Sequence, residues 1–285
     1  MSKTIVTHLN PDLDALTAVW LLKRFGGEEF VEARLAFIPA GETYRGVAVD
    51  SDPEVVHVDV GLGKFDHHQV DMRTSAAELV YQSLGKEKPE LTEDEALKRL
   101  VAIVVDIDYG AGDLSYPEAA SDRYAMLFNE RQIIGGWYRV FPGQSDKIAE
   151  LGLTVLDGVY ESLRGKVVAE GEFERAKEFE TQWGKGIGME TAEREFGTLA
   201  FARGYTVVVT KDPEGGNVRV KAREKQGGKR IDLTPLYNSV REKDPEADWY
   251  FHVSRKMLLN GSRVNPKMKA SRLTLAQVIA LLQHA

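Results

Sequence analysis

The sequence predicts an α/β protein: a parallel-sheet N-terminal domain and a smaller C-terminal α/β domain, with the active site in the cleft between them. Three observations carry this. Short β-branched runs alternate with helix-period stretches over the first 110 residues, the pattern of parallel strands joined by helices. After residue 197 the pattern changes to strand-like alternation around a hairpin signal, "DPEGGN". Charge divides along the chain as well. Residues 201–285 carry 16 Lys and Arg against 8 Asp and Glu, and the 200 residues before them carry 21 against 36. Taken alone, that asymmetry reads as two solvated surfaces. Joined to the motifs below, it suggests an acidic half that holds cations and a basic half that holds an anion.

The elements follow in order. "KTIVTHL" (3–9) is β-branched and reads as a buried strand. "DLDALTAVWLLKRFG" (12–26) has apolar residues at helical spacing and stops at Gly26–Gly27. Residues 32–41 and 54–61 read as strands, and 74–85 as a helix capped by Thr74 or Ser75. Thr92 with Glu95 three residues later has the form of a capping box. The apolar run that follows ends in Asp106 and Asp108 and is read as a strand end. Helical stretches are expected around 119–134 and 145–164, and a polar bridging helix over 171–186. The hairpin at "DPEGGN", a helix over "LTPLYNSVREKD", a strand into a Gly turn over 248–263 and a closing helix over "LTLAQVIALLQHA" complete the chain. The domains are expected at 1–165 and 166–285.

The 285 residues include no cysteine, which excludes disulfides, thiolate metal sites and thiol nucleophiles. The N-terminus has no apolar leader pattern and no run approaches 18 apolar residues, so a cytoplasmic protein without a membrane partner is expected.

Four segments place metal-capable side chains where apolar runs end: His8, Asp12 and Asp14 in "HLNPDLD", Asp59 in "VVHVD", Asp66, His67 and His68 in "KFDHHQ", and Asp106 in "AIVVD". In a parallel sheet the carboxyl ends of neighbouring strands open onto one crevice. Carboxylates with imidazoles and no thiolate suit hard or borderline divalent ions, Mn²⁺ first, with Mg²⁺ or Co²⁺ compatible. Two ions suit this number of ligands, and a two-metal site can drive an in-line phosphoryl displacement. Strand alternation turns His57 and Asp108 away from Asp59 and Asp106, so both are given structural roles, as are Asp113, His252 and His284.

At these motifs the chain resembles the DHH phosphoesterase superfamily, of the kind with a DHH domain followed by a DHH-associated domain. The resemblance rests on "HLNPDLDA", "VVHVDVG", "DHHQ" with its following "TSAAELVY", and "AIVVD". It implies one metal held by His8, Asp12 and Asp59, and a second held by Asp14, Asp59, His67 and Asp106, with Asp59 bridging. It implies that His68 faces the substrate phosphate and that Asp66 orients the histidines. In the second domain "LLNGSRVNP" stands where the family has a Gly-rich turn, so Gly261, Ser262 and Arg263 are candidates to hold substrate. The family's "GGGH" form of that turn is absent. Arg255 and Lys256 in "SRKM" resemble a stretch of the family II inorganic pyrophosphatases, but "VDVG" lacks the histidine those enzymes carry after motif two. Of Trp249, Tyr250 and Phe251, at least two are expected to pack in the sheet and one can stack on a base.

The expected activity is metal-dependent hydrolysis of a phosphodiester or phosphomonoester in a small nucleotide, dinucleotide or short oligonucleotide. The alternatives are a pyrophosphatase and a non-catalytic nucleotide-binding module. No long nucleic acid is expected as partner, and a homodimer is compatible with the sequence.

Overall fold

The computed structural model describes residues 3–110, 129–226, 228–261 and 265–285. The chain divides into two compact units, residues 1–164 and 165–285. Each is an α/β assembly of its own, and the N-terminal sheet is parallel.

The first unit contains β1 (Thr4–His8), α1 (Leu13–Phe25), α2 (Glu28–Val31), β2 (Arg34–Ile38), β3 (Val55–His57), α3 (Ala76–Glu87), α4 (Glu95–Asp108) and α5 (Glu130–Val140). A long helix, α6 (Ser145–Glu172), begins in it and runs past its end. The sheet order is β2-β1-β3, with β1 parallel to both neighbours. Ile5 and Val6 are fully buried, so β1 is central in packing as well as in pairing. Residues 13–22 of α1 are all buried. A helix apolar on every side belongs inside the unit, and any polar group on it must find partners there. Thr17 finds one in the Leu13 carbonyl, 2.7 Å away.

Gly152 lets α6 lie close against α1. A Cβ at that position would stand 2.7 Å from Leu16 Cδ1 and 3.4 Å from its Cγ, and Leu16 is fully buried. Gly152→Val is therefore expected to destabilise the protein by about 1–3 kcal/mol through overpacking. A thermal melt reads this as a fall of several degrees.

In three places the first unit departs from the sequence expectation. Thr92 does not cap α4. It ends a short 3₁₀ turn with its hydroxyl donating to the Pro89 carbonyl, and Asp94 caps instead, accepting from the Leu97 N–H at 2.9 Å. The run ending in Asp106 is not a strand, because α4 continues through Asp108. The spacing of its apolar residues decides this: Leu97, Leu100, Val101, Val104 and Val105 make one buried helical stripe. The expected helix at 119–134 appears as α5 from residue 130, and its residues 119–128 lie outside those described.

The second unit contains β4 (Lys177–Thr181), β5 (Gly184–Glu190), α7 (Glu195–Ala202), β6 (Val207–Lys211), β7 (Val218–Ala222), β8 (Lys225–Gln226), β9 (Lys229–Arg230), α8 (Thr234–Lys243), β10 (Tyr250–Phe251), β11 (Met257–Leu259) and α9 (Leu275–Gln283). Six strands form a mixed sheet in the order β10-β11-β7-β6-β5-β4. One face packs Val207, Val209, Val218, Val220 and Leu258 against residues of α8 and α9, including Leu236, Val240, Val278 and Leu282. The other packs Ile187, Met189 and Val208 against Phe196 and Ala200 of α7. Trp249 and Phe251 pack with the first cluster, and Tyr250 stays half exposed. The polar helix expected over 171–186 is the end of α6 followed by the β4–β5 hairpin. "KEFET" alternates, and Phe179 is its one buried residue, which is a strand's period rather than a helix's. Residues 197–202, read as strand-like, form most of α7.

Candidate metal centre

Motif one is a strand, a tight turn and a helix start. β1 ends at His8, Asn10 takes a left-handed conformation (φ 52°), and Asp12 caps α1 by accepting from the Ala15 N–H at 3.1 Å. The His8 Nδ1–H donates to the Leu9 carbonyl at 2.9 Å. That bond orients the ring and leaves Nε2 to face Asp59. It lies 3.3 Å from Asp59 Oδ2.

Asp14 sits in the first turn of the buried helix α1. Its Oδ2 accepts from the Ala76 N–H at 2.7 Å and its Oδ1 from the Ala77 N–H at 2.9 Å. These are first-turn amides of α3, which have no partner inside their own helix. "DHHQ" followed by "TSAAELVY" thus positions Asp14 through the helix end, and Ser75 supplies that helix's own cap.

Asp59 follows β3 in a left-handed conformation (φ 55°). Asp adopts this region more readily than most residues, and such outliers gather at functional sites. The Asp59 N–H donates to the Phe65 carbonyl at 2.9 Å, closing the loop 59–65. Asp66 is buried and ties down the next turn: it accepts from Leu62 N–H at 2.8 Å, from His68 N–H at 3.0 Å, and from His68 Nδ1–H at 2.8 Å. This fixes the His68 ring while leaving it 60% exposed.

His8, Asp12, Asp14, Asp59, His67 and His68 come together, and Asp108 joins them. Ligand atoms in three groups lie within 4.8 Å of one another: His8, Asp12 and Asp59; Asp14, His67 and Asp108; and Asp59, His67 and His68. The Asp59 oxygens face different partners. Oδ2 looks to His8, while Oδ1 is buried without a hydrogen bond, 3.4 Å from His67 Nε2 and 3.6 Å from His68 Nδ1. His67 Nε2 is also 3.7 Å from Asp14 and 3.5 Å from Asp108.

Asp106 is the residue that the fold does not bring in. It is half exposed and pairs with Arg73 on the surface. On a helix, residues two apart point about 200° from each other, so α4 can present only one of its two aspartates. Asp108 continues the buried stripe Leu97–Val101–Val104, and Asp106 continues the exposed one, Ala102 and Ile103. His57 has the structural role expected of it. It is buried and its Nε2 accepts from the Tyr44 N–H at 3.1 Å.

The substrate-holding candidates belong to the second unit. Arg255 sits in the β10–β11 turn at φ 59° and pairs with Asp232 at 3.0 Å; Lys256 follows it in the same turn. Gly261 is buried with φ 75°, and a Cβ there would meet the Asn217 side-chain amide at 2.5 Å. Close packing thus explains that glycine. Ser262 and Arg263 lie outside the described residues.

The electrostatics are those of carboxylates crowded with imidazoles. Burial raises the Asp14 carboxyl, the Asp59 charge adds to this, and the α3 amides oppose it; it reaches about 7. Burial would lower His8, but the Asp59 carboxylate, the Leu9 carbonyl and the Asp12 charge outweigh it, and His8 reaches about 9. His67 reaches about 9 through Asp59, against burial and with help from Asp108 and Asp14. Burial acts to raise Asp59, yet the two imidazoles hold it below the usual carboxylate range. Protons and divalent cations would therefore compete for these groups. The residues fit divalent ions: oxygen and nitrogen donors, a buried Asp59 Oδ1 without a hydrogen bond among the described residues, and a His8 Nε2 turned toward Asp59.

A pH dependence follows. Without metal, the folded chain holds protons at Asp14 up to about 7 and at His8 and His67 up to about 9. The unfolded chain loses them near the ordinary carboxylate and imidazole values, so the folded state binds more protons across the window from pH 5 to 9. Stability of the metal-free protein therefore falls as pH rises through that window. Bound cations displace these protons, so the rise in melting temperature on adding Mn²⁺ is expected to be larger at pH 8 than at pH 6. Paired thermal melts with and without the ion measure it.

No family model matches the chain, and no curated protein sequence matches it. Among solved structures, the DHH domain of a protein described as belonging to a family of ribosomal proteins is 14% identical, with 94% of this chain and 88% of that one covered and a TM-score of 0.32. RecJ from Thermus thermophilus in complex with Mg²⁺ is 13% identical, with a TM-score of 0.33 over 99% of this chain and 49% of RecJ. The chain thus spans about half the length of RecJ. Likenesses at these TM-scores carry no weight, and the reading of the site rests on the residues above.

Proposed function

We propose that the chain is a metal-dependent phosphoesterase acting on a small nucleotide, dinucleotide or short oligonucleotide. The observation that supports this reading most is Asp59. One buried carboxylate turns its two oxygens to two separate ligand groups, the arrangement of a bridging ligand between two ions. In this reading His8, Asp12 and Asp59 hold one ion, and Asp14, Asp59, His67 and Asp108 the other. Such ions supply Lewis-acid stabilisation of phosphoryl charge and activate a water for in-line attack.

The remaining roles belong to the chain's own groups. Asp66 holds His68 Nδ1, so the outward Nε2 is the atom available to a substrate phosphate oxygen. The α3 amides keep Asp14 in place without occupying all of its lone pairs. The left-handed turn at Asp59 directs its carboxylate back over the end of β1 toward His8.

The test is cleavage by purified protein with Mn²⁺ of linear and cyclic dinucleotides, adenylylated metabolites, a four-nucleotide RNA, 3′-phosphoadenosine phosphate and pyrophosphate. His67→Ala runs alongside. Selective cleavage of a nucleotide, lost in the variant and on chelation, supports the proposal. Phosphate release from pyrophosphate alone would replace it with a pyrophosphatase, and nucleotide binding without cleavage would replace it with a binding module.

A further inference from the structure

The second unit carries a set of cations that pair with no carboxylate among the described residues. On β7, Val218 and Val220 face the core, so Arg219 and Lys221 face the other way. Lys221 stands beside Val208, and Arg219 beside Thr210, on the neighbouring strand β6. Together with Glu193, Arg194 and Gly197 these residues line a shallow indentation open to solvent, wholly within the second unit, in which a bound group would sit at the surface rather than in a closed cavity. Arg219 and Lys221 are half buried, and Arg194 is exposed at the start of α7. Among the described residues none of the three cations forms a salt bridge.

Glu193 is the one acid in the lining among the described residues. Its Oε2 comes within 2.9 Å of where Gly165 would carry a Cβ, on the α6 side, and it pairs with none of the cations. The start of α7 has no side-chain cap, and Gly197 in its first turn has open space where a side chain would be. Three like charges at a hollow, two of them half buried, repel one another and cost stability unless an anion is present. In agreement, burial and the neighbouring cations lower the affinity of both Arg219 and Lys221 for their protons. Uncapped first-turn amides beside such cations complete an anion-binding arrangement.

We propose that Arg194, Arg219, Lys221 and the start of α7 form a binding site for a phosphate group, carried by inorganic phosphate or by a nucleotide. Tyr250 favours the nucleotide as carrier. It is half exposed and stands in register with Leu259, which is in register with Arg219, so the three share one face of the sheet. A base stacked there lies two strands, roughly 10 Å, from the Arg219 position. The site stands apart from the phosphoesterase reading, since it uses none of the metal-centre residues.

The experiment titrates chelator-treated full-length protein with inorganic phosphate and with AMP, followed by calorimetry. Arg219→Gln and Lys221→Met are the test variants, and Asp106→Ala, an exposed position of the first unit outside both sites, is the control. Saturable binding at least tenfold weaker in both test variants and within twofold of wild type in the control is the expected result. Tighter binding of AMP than of phosphate, lost in Tyr250→Ala, identifies the nucleotide as carrier; equal binding identifies phosphate alone. No saturable binding of either probe, or binding unchanged in Arg219→Gln and Lys221→Met, overturns the proposal. A melting-temperature series guards against misfolding. Without ligand, Lys221→Met is expected to melt no lower than wild type, because it removes a repelled charge, and phosphate is expected to raise the melting temperature of wild type and the control more than that of either test variant. A phosphate-induced rise of equal size in Lys221→Met also overturns it.

Discussion

Asp59→Asn is expected to lower phosphoester cleavage by more than about 10²-fold, since even the residues behind metal ligands cost 10–100-fold when removed. The asparagine matches the shape of the aspartate but has no charge and only one oxygen. It can no longer offer one oxygen toward His8 and another toward His67. The loss reaches the neighbours. Asp59 is what most raises His67, and it also raises His8 against burial. Both imidazoles are therefore expected to titrate at lower pH in the metal-free variant, a shift that NMR of the ring protons records without an activity assay. Asp14 loses a like-charge neighbour, so its carboxyl is expected to fall as well. Unchanged imidazole titration together with wild-type cleavage would remove Asp59 from the centre of the site.

The second large effect separates two aspartates two residues apart. Asp108→Ala is expected to lose cleavage by more than about 10²-fold, as for a direct ligand. Asp106→Ala is expected to stay within about threefold of wild type, because an exposed ion pair such as Asp106 with Arg73 contributes about 0–1 kcal/mol. Steady-state rates on the same substrate decide between them. The reverse order would mean that α4 presents its other face to the site.

That pair also shows how far the sequence could be read. The motif residues were legible because each ends an apolar run, and a parallel sheet collects such ends. His8, Asp12, Asp14, Asp59, His67 and His68 all meet in the structure. The fourth motif was read with the wrong period. "LVAIVVDID" has enough β-branched residues to look like a strand, and strand alternation selects Asp106. At helical spacing, Leu97, Val101 and Val104 lead to Asp108, and the signal was present all along. The "KEFET" hairpin was missed for the opposite reason. Its charges suggest a solvated helix, and the single buried Phe179 is a weak mark of period two. No pattern in the sequence predicts that the amides of α3 hold Asp14, because that contact joins residues 62 and 63 positions apart. The cations of β7 were counted in the basic half, but strand register was needed to place Arg219 and Lys221 on one face.

The most direct test of the account is a calorimetric titration of Mn²⁺ into chelator-stripped protein at pH 8, with Asp59→Asn alongside. Two ions are expected to bind saturably per chain with proton release, and at least one of them to be lost in the variant. Absence of saturable binding, or equal binding by both proteins, would contradict it.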